Sequence, residues 1–300
     1  MKRIALLLFC AVALAAATKE RVITIESPDS SAKRSGDLSN GPWVYEATKV
    51  GSLVGKVKDL QIVALKATLT APQGKTMQAA EGSRVATFEN SVTVKRDRMT
   101  ATGPKLTYSE ATGKGVLDGG AKMHQDPKDP KNDPVDVTAP RMTFEVDTNI
   151  STSEGGVILK NGRQEGKSQT VYYEEDRALA IFNDDNQVVL TRKRDNGDLI
   201  IQGKEVRSLT DAKRLIATGG VTLIDGDITT TGASLYYDDN TGEAIILGDR
   251  AKGIPAKSVN KKDNATLSSG TLKQNTNNKR VQLYNQPFKL PEQDFKKAGS

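Results

Sequence analysis

From Leu65 onward the chain alternates apolar and polar residues with a period of two. Leu106 and Tyr108, Met142 and Phe144, Val171 and Tyr173, and Leu235 and Tyr237 each set two apolar side chains on one face of an extended segment. Val92 and Val94, Val157 and Leu159, and Val221 and Leu223 do the same in the neighbouring runs. Turn-rich groups separate them: E-A-T-G at 110–113, E-E-D at 174–176, D-A-K at 211–213, D-D-N-T-G at 238–242 and N-T-N-N at 275–278. This pattern predicts antiparallel strands joined by tight turns. No stretch outside the first seventeen residues has the i, i+3, i+4 spacing of a helix, and the 26 glycines weigh against long helices.

The alternation repeats on a larger scale. Residues 101–119 (A-T-G-P-K-L-T-Y-S-E-A-T-G-K-G-V-L-D-G) return at 230–248 with an ungapped offset of 129 residues. Thr102, Gly103, Leu106, Tyr108, Thr112, Gly113 and Gly119 recur as Thr231, Gly232, Leu235, Tyr237, Thr241, Gly242 and Gly248. Weaker copies align on Ala139, Ser168, Gly203 and Ser269, so that successive spacings are 36, 29, 35, 29 and 37. Long and short spacings alternate, the mark of a repeated two-strand unit. Glycines at 119, 155–156 and 219–220 fall where one strand is expected to end and a short apolar run to begin. The fold class expected is all-β, a long stack of antiparallel hairpins.

The rest of the chain divides around that region. Lys2 and Arg3 precede an uncharged run over 4–17 with small-x-small cleavage patterns at its end, so residues 1–17 are expected to be an export signal. That run is shorter than the roughly 18 residues needed to span a bilayer. Cleavage would remove Cys10, the only cysteine, and place the protein in the periplasm or cell envelope without disulfide or thiol chemistry. Residues 18–64 form an N-terminal strand and linker region, and 65–290 the repeated region. A proline-rich stretch at 125–134 (Q-D-P-K-D-P-K-N-D-P) is a candidate divider between two units. Residues 291–300 are expected to be a flexible tail.

Composition removes several function classes. The formal charge is +6, or +4 once Lys2 and Arg3 are lost, and the basic residues are dispersed, which does not suit nucleic acid. Aromatics make up 5%, too few for a base-stacking platform. His124 is the only histidine and is read as an exposed loop residue, which leaves no triad or histidine-based zinc site. The acidic pairs at 174–175, 184–185 and 238–239 fall at predicted turns, where such residues serve the local backbone rather than glycoside hydrolysis. The 238–243 run lacks the ligand spacing of a calcium loop, and no phosphate-binding glycine motif precedes a helix. No enzyme activity, metal or cofactor is expected.

What remains is the apolar face of the strands. It fills a dry core, or it lines a groove between two facing sheets that would suit acyl chains. The period-two pattern is the same for both.

Particular segments resemble a known family. The I-T-I-E-S strand at 23–27, A-T-F-E-N-S-V-T-V at 86–94, T-A-T-G-P-K-L-T-Y at 100–108 and the Thr-Gly turn together are similar to the OstA-like (organic-solvent-tolerance) domain of periplasmic lipopolysaccharide-transport bridge proteins. Asn90 stands where that pattern commonly has glycine, and Gly103 where it commonly has an acidic residue. The resemblance covers roughly 85–285. It implies a twisted antiparallel β-jellyroll of two facing sheets, with lipopolysaccharide or a related envelope glycolipid shielded between them. It also implies edge-strand pairing with further copies or with other OstA-like transport components. The fourteen alternating apolar residues named above are the lipid-groove candidates on that basis. The alternative is a β-solenoid serving as a structural or polysaccharide-binding envelope protein, which predicts near-constant coil lengths and a closed core.

Overall fold

A computed structural model describes residues 21–195 and 197–299. The expected export signal lies outside the described residues. The described chain is all-β: twenty-one strands, one 3-10 turn at Glu292–Phe295, and antiparallel pairing in every strand pair whose register is resolved. Antiparallel pairing of successive strands rules out the coil of a parallel solenoid. The chain divides into two compact units, one running through Gln125 and adding Pro140–Ser151, the other comprising Asp126–Ala139 and Thr152–Ser300. Strands β10 (Val135–Glu145) and β11 (Ile150–Asn161) each contribute a part to both units.

The first unit is built on three long strands, β7 (Val85–Arg96), β8 (Met99–Ser109) and β9 (Lys114–Gln125). Each bends in the middle. Opposite β8, β7 runs in register from Val85 to Glu89 and again from Val92 to Arg96, leaving Asn90 and Ser91 in a bulge with φ of 66° and 58°. In β9 the bulge is Gly119-Gly120, with φ of 88° and 105°, values that suit glycine alone. The glycines expected to end strands instead bend continuous ones. Beyond the bend the halves find different neighbours: 85–89 of β7 pairs with β6 (Lys66–Thr70), and 93–95 pairs with β5 (Leu60–Val63). Two leaves result. Leaf I adds β3 (Trp43–Glu46) and β2 (Lys33–Ser35), and leaf II adds β4 (Val54–Val57) and β1 (Thr24–Glu26). Residues 18–64, expected to be a strand plus linker, thus supply five strands of this unit.

The second unit repeats the plan in β12 (Gln164–Glu174), β13 (Leu179–Arg192), β14 (Leu199–Leu209), β15 (Arg214–Asp225) and β16 (Ile228–Asp238). Register shifts again break each pair in the middle, at Gly219-Gly220 in β15 and at a longer excursion over 184–187 in β13. Past the bend, β16 pairs with β18 (Ala256–Asn260) in leaf II and with β17 (Glu243–Leu247) in leaf I. Leaf II ends at β19 (Ala265–Ser269), and leaf I continues through β20 (Thr271–Asn275) to β21 (Arg280–Leu283). The positions aligned in sequence at 103, 168, 203 and 232 all fall at the bends.

Side chains that alternate inward pack between the leaves. A Cβ placed on Gly55 of leaf II would sit 2.4 Å from the ring of Phe88 in leaf I, and one on Gly166 of leaf II 2.5 Å from Phe182 of leaf I. These glycines admit rings from the facing leaf. Phe88, Leu106, Phe144, Leu223 and Leu235 are fully buried, each contributing about 1.5–3 kcal/mol relative to exposure.

Residues 291–298, expected to trail, are docked on the outward face of leaf I of the second unit. Phe295 is fully buried against Leu179, Ile181 and Ile216. Arg177 donates to the carbonyls of Asp294 and Lys296, Arg207 to that of Phe295, and the Ala298 N–H donates to Glu174 at 2.7 Å. His124, expected in a loop, is the exposed penultimate residue of β9.

Candidate functional site: the interior between the leaves

All fourteen groove candidates face inward and all are buried to 3% exposure or less. The first unit gathers Val92 and Val94 on leaf II with Leu106, Tyr108, Met142 and Phe144 on leaf I, where β10 joins β9. The second gathers Val157, Leu159, Val221 and Leu223 on the leaf II side and Val171, Tyr173, Leu235 and Tyr237 on leaf I. The stripe is mainly apolar in both units, with buried polar residues such as Ser151, Ser208, Thr230 and Gln274 among its inward positions. It continues through residues that the repeat does not single out, among them Ile62, Leu69, Phe182, Ile201 and Leu272. Their signal is the same alternation, in runs without the Leu-x-Tyr signature.

Away from its free edge, the interior of the second unit is tightly filled. In the second unit, two gaps between the leaves measure about 20 and 10 Å³, beside Leu199, Leu215 and Tyr237 and beside Leu159, Phe182 and Leu190. A single water needs roughly 10–15 Å³, so an acyl chain has no room at these two places until the leaves part. A larger hollow of about 290 Å³ opens at the free edge of this unit, between Ile228, Ser258 and Leu267 of leaf II and Lys279 and Val281 beside it. A concavity of about 700 Å³ lies at the bend, lined by Gly219, Gly220, Lys204, Lys252 and Ile254 among others. None of the fourteen inward residues lines it.

Polar groups collect at the strand ends, away from the bends. The Tyr108 hydroxyl donates to the Arg21 carbonyl at 2.7 Å, and that of Tyr237 to Asp239 at 2.9 Å. Burial above all pushes both phenols well above their ordinary range, so they remain neutral donors at physiological pH. In the first unit Glu110 is fully buried and accepts from the backbone N–H of Ile23, Gly82 and Arg84 at 2.9–3.0 Å. The Arg84 guanidinium closes on it at 2.7 Å. The acidic residues expected to serve only turns divide into two kinds. Asp184 and Asp238 do accept from local N–H groups, while Glu174 ties down the C-terminal segment and Asp239 reaches Arg192 at 3.0 Å. Those distant partners leave no mark in the local sequence.

Comparison with known proteins adds a distant likeness. No family model and no curated protein matches the chain. Among solved structures, LptH of Pseudomonas aeruginosa, described as the LptA-homologous periplasmic component of a lipopolysaccharide transport device, aligns with 48% of this chain and 98% of its own. The identity is 13% and the TM-score 0.38.

Proposed function

We propose that the protein is a non-enzymatic lipid-binding component of a cell envelope, which shields acyl chains of lipopolysaccharide or a related glycolipid between its two leaves. The observation that carries this reading is the inward apolar stripe, present on both leaves of both units and lying between leaves joined at bulges. A chain of methylenes needs a long, uniform surface rather than a polar pocket. Each methylene moved out of water is worth about 0.8 kcal/mol, which compensates for separating apolar faces that are otherwise in contact. Head groups would remain in water at the strand ends, where the polar side chains already stand.

The free edges support the bridge part of the reading. Among the described residues, strand β19 of the second unit pairs only with β18, carries no charge in its sequence A-T-L-S-S, and is largely exposed. It lacks the charges and prolines that usually protect an edge, so it can accept a strand from another copy or another component. Strand β2 of the first unit, K-R-S, presents Lys33 and Arg34 at its edge. The tight filling between the leaves of the second unit beside Leu215, Tyr237 and Phe182 favours a second reading, a structural envelope protein that assembles by its edges and carries no lipid. Native mass spectrometry of protein purified from an envelope extract separates the two. Lipid adducts identified as glycolipid support the proposal, and a bare chain mass under gentle conditions supports the structural reading.

A further inference from the structure

In the second unit the two leaves are stitched together along the rim opposite the bends. Arg192, at the end of leaf II, meets Asp239, just past the end of leaf I, at 3.0 Å. Thr230 of leaf II donates through Oγ1 to Oε1 of Gln274 in leaf I at 2.7 Å. Gln274 returns through Nε2 to Asp225 of leaf II at 3.5 Å. Arg194, on the leaf II side, pairs with Asp225 and donates to the Thr276 carbonyl beside leaf I at 2.9 Å. Asp225, Thr230 and Gln274 are fully buried in a unit whose interior is otherwise largely aliphatic.

We propose that this row of cross-leaf bonds is a clasp that controls access to the interior, and that an acyl-chain amphiphile enters sideways through the rim when it opens. The inference rests on the lipid-binding reading. Its physical basis is the contrast between the two sides of each leaf pair. Polar groups at the rim exchange protein partners for water at small net cost, whereas the bend is covalently continuous. Gly219 and Gly220 at that bend have φ of 82° and 85°, and their strand is out of register there, so a change of leaf angle is absorbed at a few residues. A rim that opens lengthwise lets the tail slide between the leaves while its head group never leaves water. Entry from a strand edge would require threading.

The test uses the full-length protein and cis-parinaric acid, a fluorescent fatty acid, in stopped-flow binding. Asp239→Ala and, separately, the near-isosteric Thr230→Val each weaken one part of the clasp. Lys257→Ala, on the exposed outward side of β18, serves as a control. The expected result is a rise of about 5-fold or more in both association and dissociation rates for the two rim variants, with Kd changed less than about 2-fold and the control like wild type. Unchanged rates in both rim variants, with wild type binding the probe, overturn the clasp and leave the lipid reading standing. Failure of wild type to bind the probe or glycolipid overturns the lipid reading. Hydrogen exchange then judges the clasp alone: faster exchange in the rim turns of both variants supports a device holding the leaves shut, and unchanged exchange overturns it.

Discussion

The contact between Gly55 and Phe88 gives a quantitative test of whether the leaves of the first unit face one another as described. Gly55 lies in β4 of leaf II without a positive φ, so alanine there carries no backbone penalty of the left-handed kind. Its new methyl would stand 2.4 Å from Phe88 Cζ and 2.8 Å from Cε1, and 3.5 Å from Ile23 Cδ1. The ring must move or the leaves must separate, at a cost of about 1–3 kcal/mol. Phe88→Ala removes a fully buried ring and costs about 3–5 kcal/mol by itself. In that background the methyl of Gly55→Ala meets no ring and partly fills the space left, so its cost falls to about zero. The coupling between the two substitutions is therefore about 1–3 kcal/mol. Trp43, the only tryptophan, sits half-buried in β3 of the same unit, so its fluorescence during urea unfolding follows this unit separately. Equal cost of Gly55→Ala in the presence and absence of Phe88 would refute the facing-leaf arrangement.

Other substitutions test the remaining supports. Glu110→Ala leaves Arg84 buried without its partner and strands three backbone donors, and it should destabilise the first unit by about 3–5 kcal/mol in the same Trp43 assay. Arg84→Met should cost less, because those three backbone donors stay on the carboxylate. Phe295→Ala should free the C-terminal segment and expose Leu179, Ile181 and Ile216, seen as faster hydrogen exchange across β13 and β15 and increased binding of an apolar dye. Unchanged exchange would show that the docking does not depend on this ring. Leu267→Lys places a charge in the middle of β19 and should abolish concentration-dependent association in analytical ultracentrifugation. The reading of β19 as the joining edge fails if the wild type stays monomeric, or if the variant associates equally well.

Much of this architecture is legible in the sequence because strand chemistry is local. A period of two identifies the inward residue wherever one face is buried, and it singles out Leu106, Tyr108, Leu235 and Tyr237 without knowledge of any pairing. The bends are marked by glycines, but their meaning is not local. Gly119-Gly120 and Gly219-Gly220 look like strand ends, and only the resumed register beyond them shows one strand crossing between two leaves. The rim contacts are not legible, because Asp239 and Gln274 acquire their roles from Arg192 and Thr230 across the fold. The C-terminal segment is hidden for a different reason. Phe288, Leu290 and Phe295 follow no strand or helix period, and their apolar character matters only because Tyr236 and the outward side of leaf I offer a surface to cover.

The central claim is that the inward faces of the strands hold acyl chains. The most direct measurement places a photo-reactive amino acid at Leu106 or Leu235, and in parallel at their outward neighbours Thr107 or Ser234, in protein expressed in an envelope-bearing host. Irradiation followed by mass spectrometry should yield lipid adducts at the two inward positions and none at the outward pair. Equal labelling on both faces, or no lipid adduct at either inward position, would contradict the account.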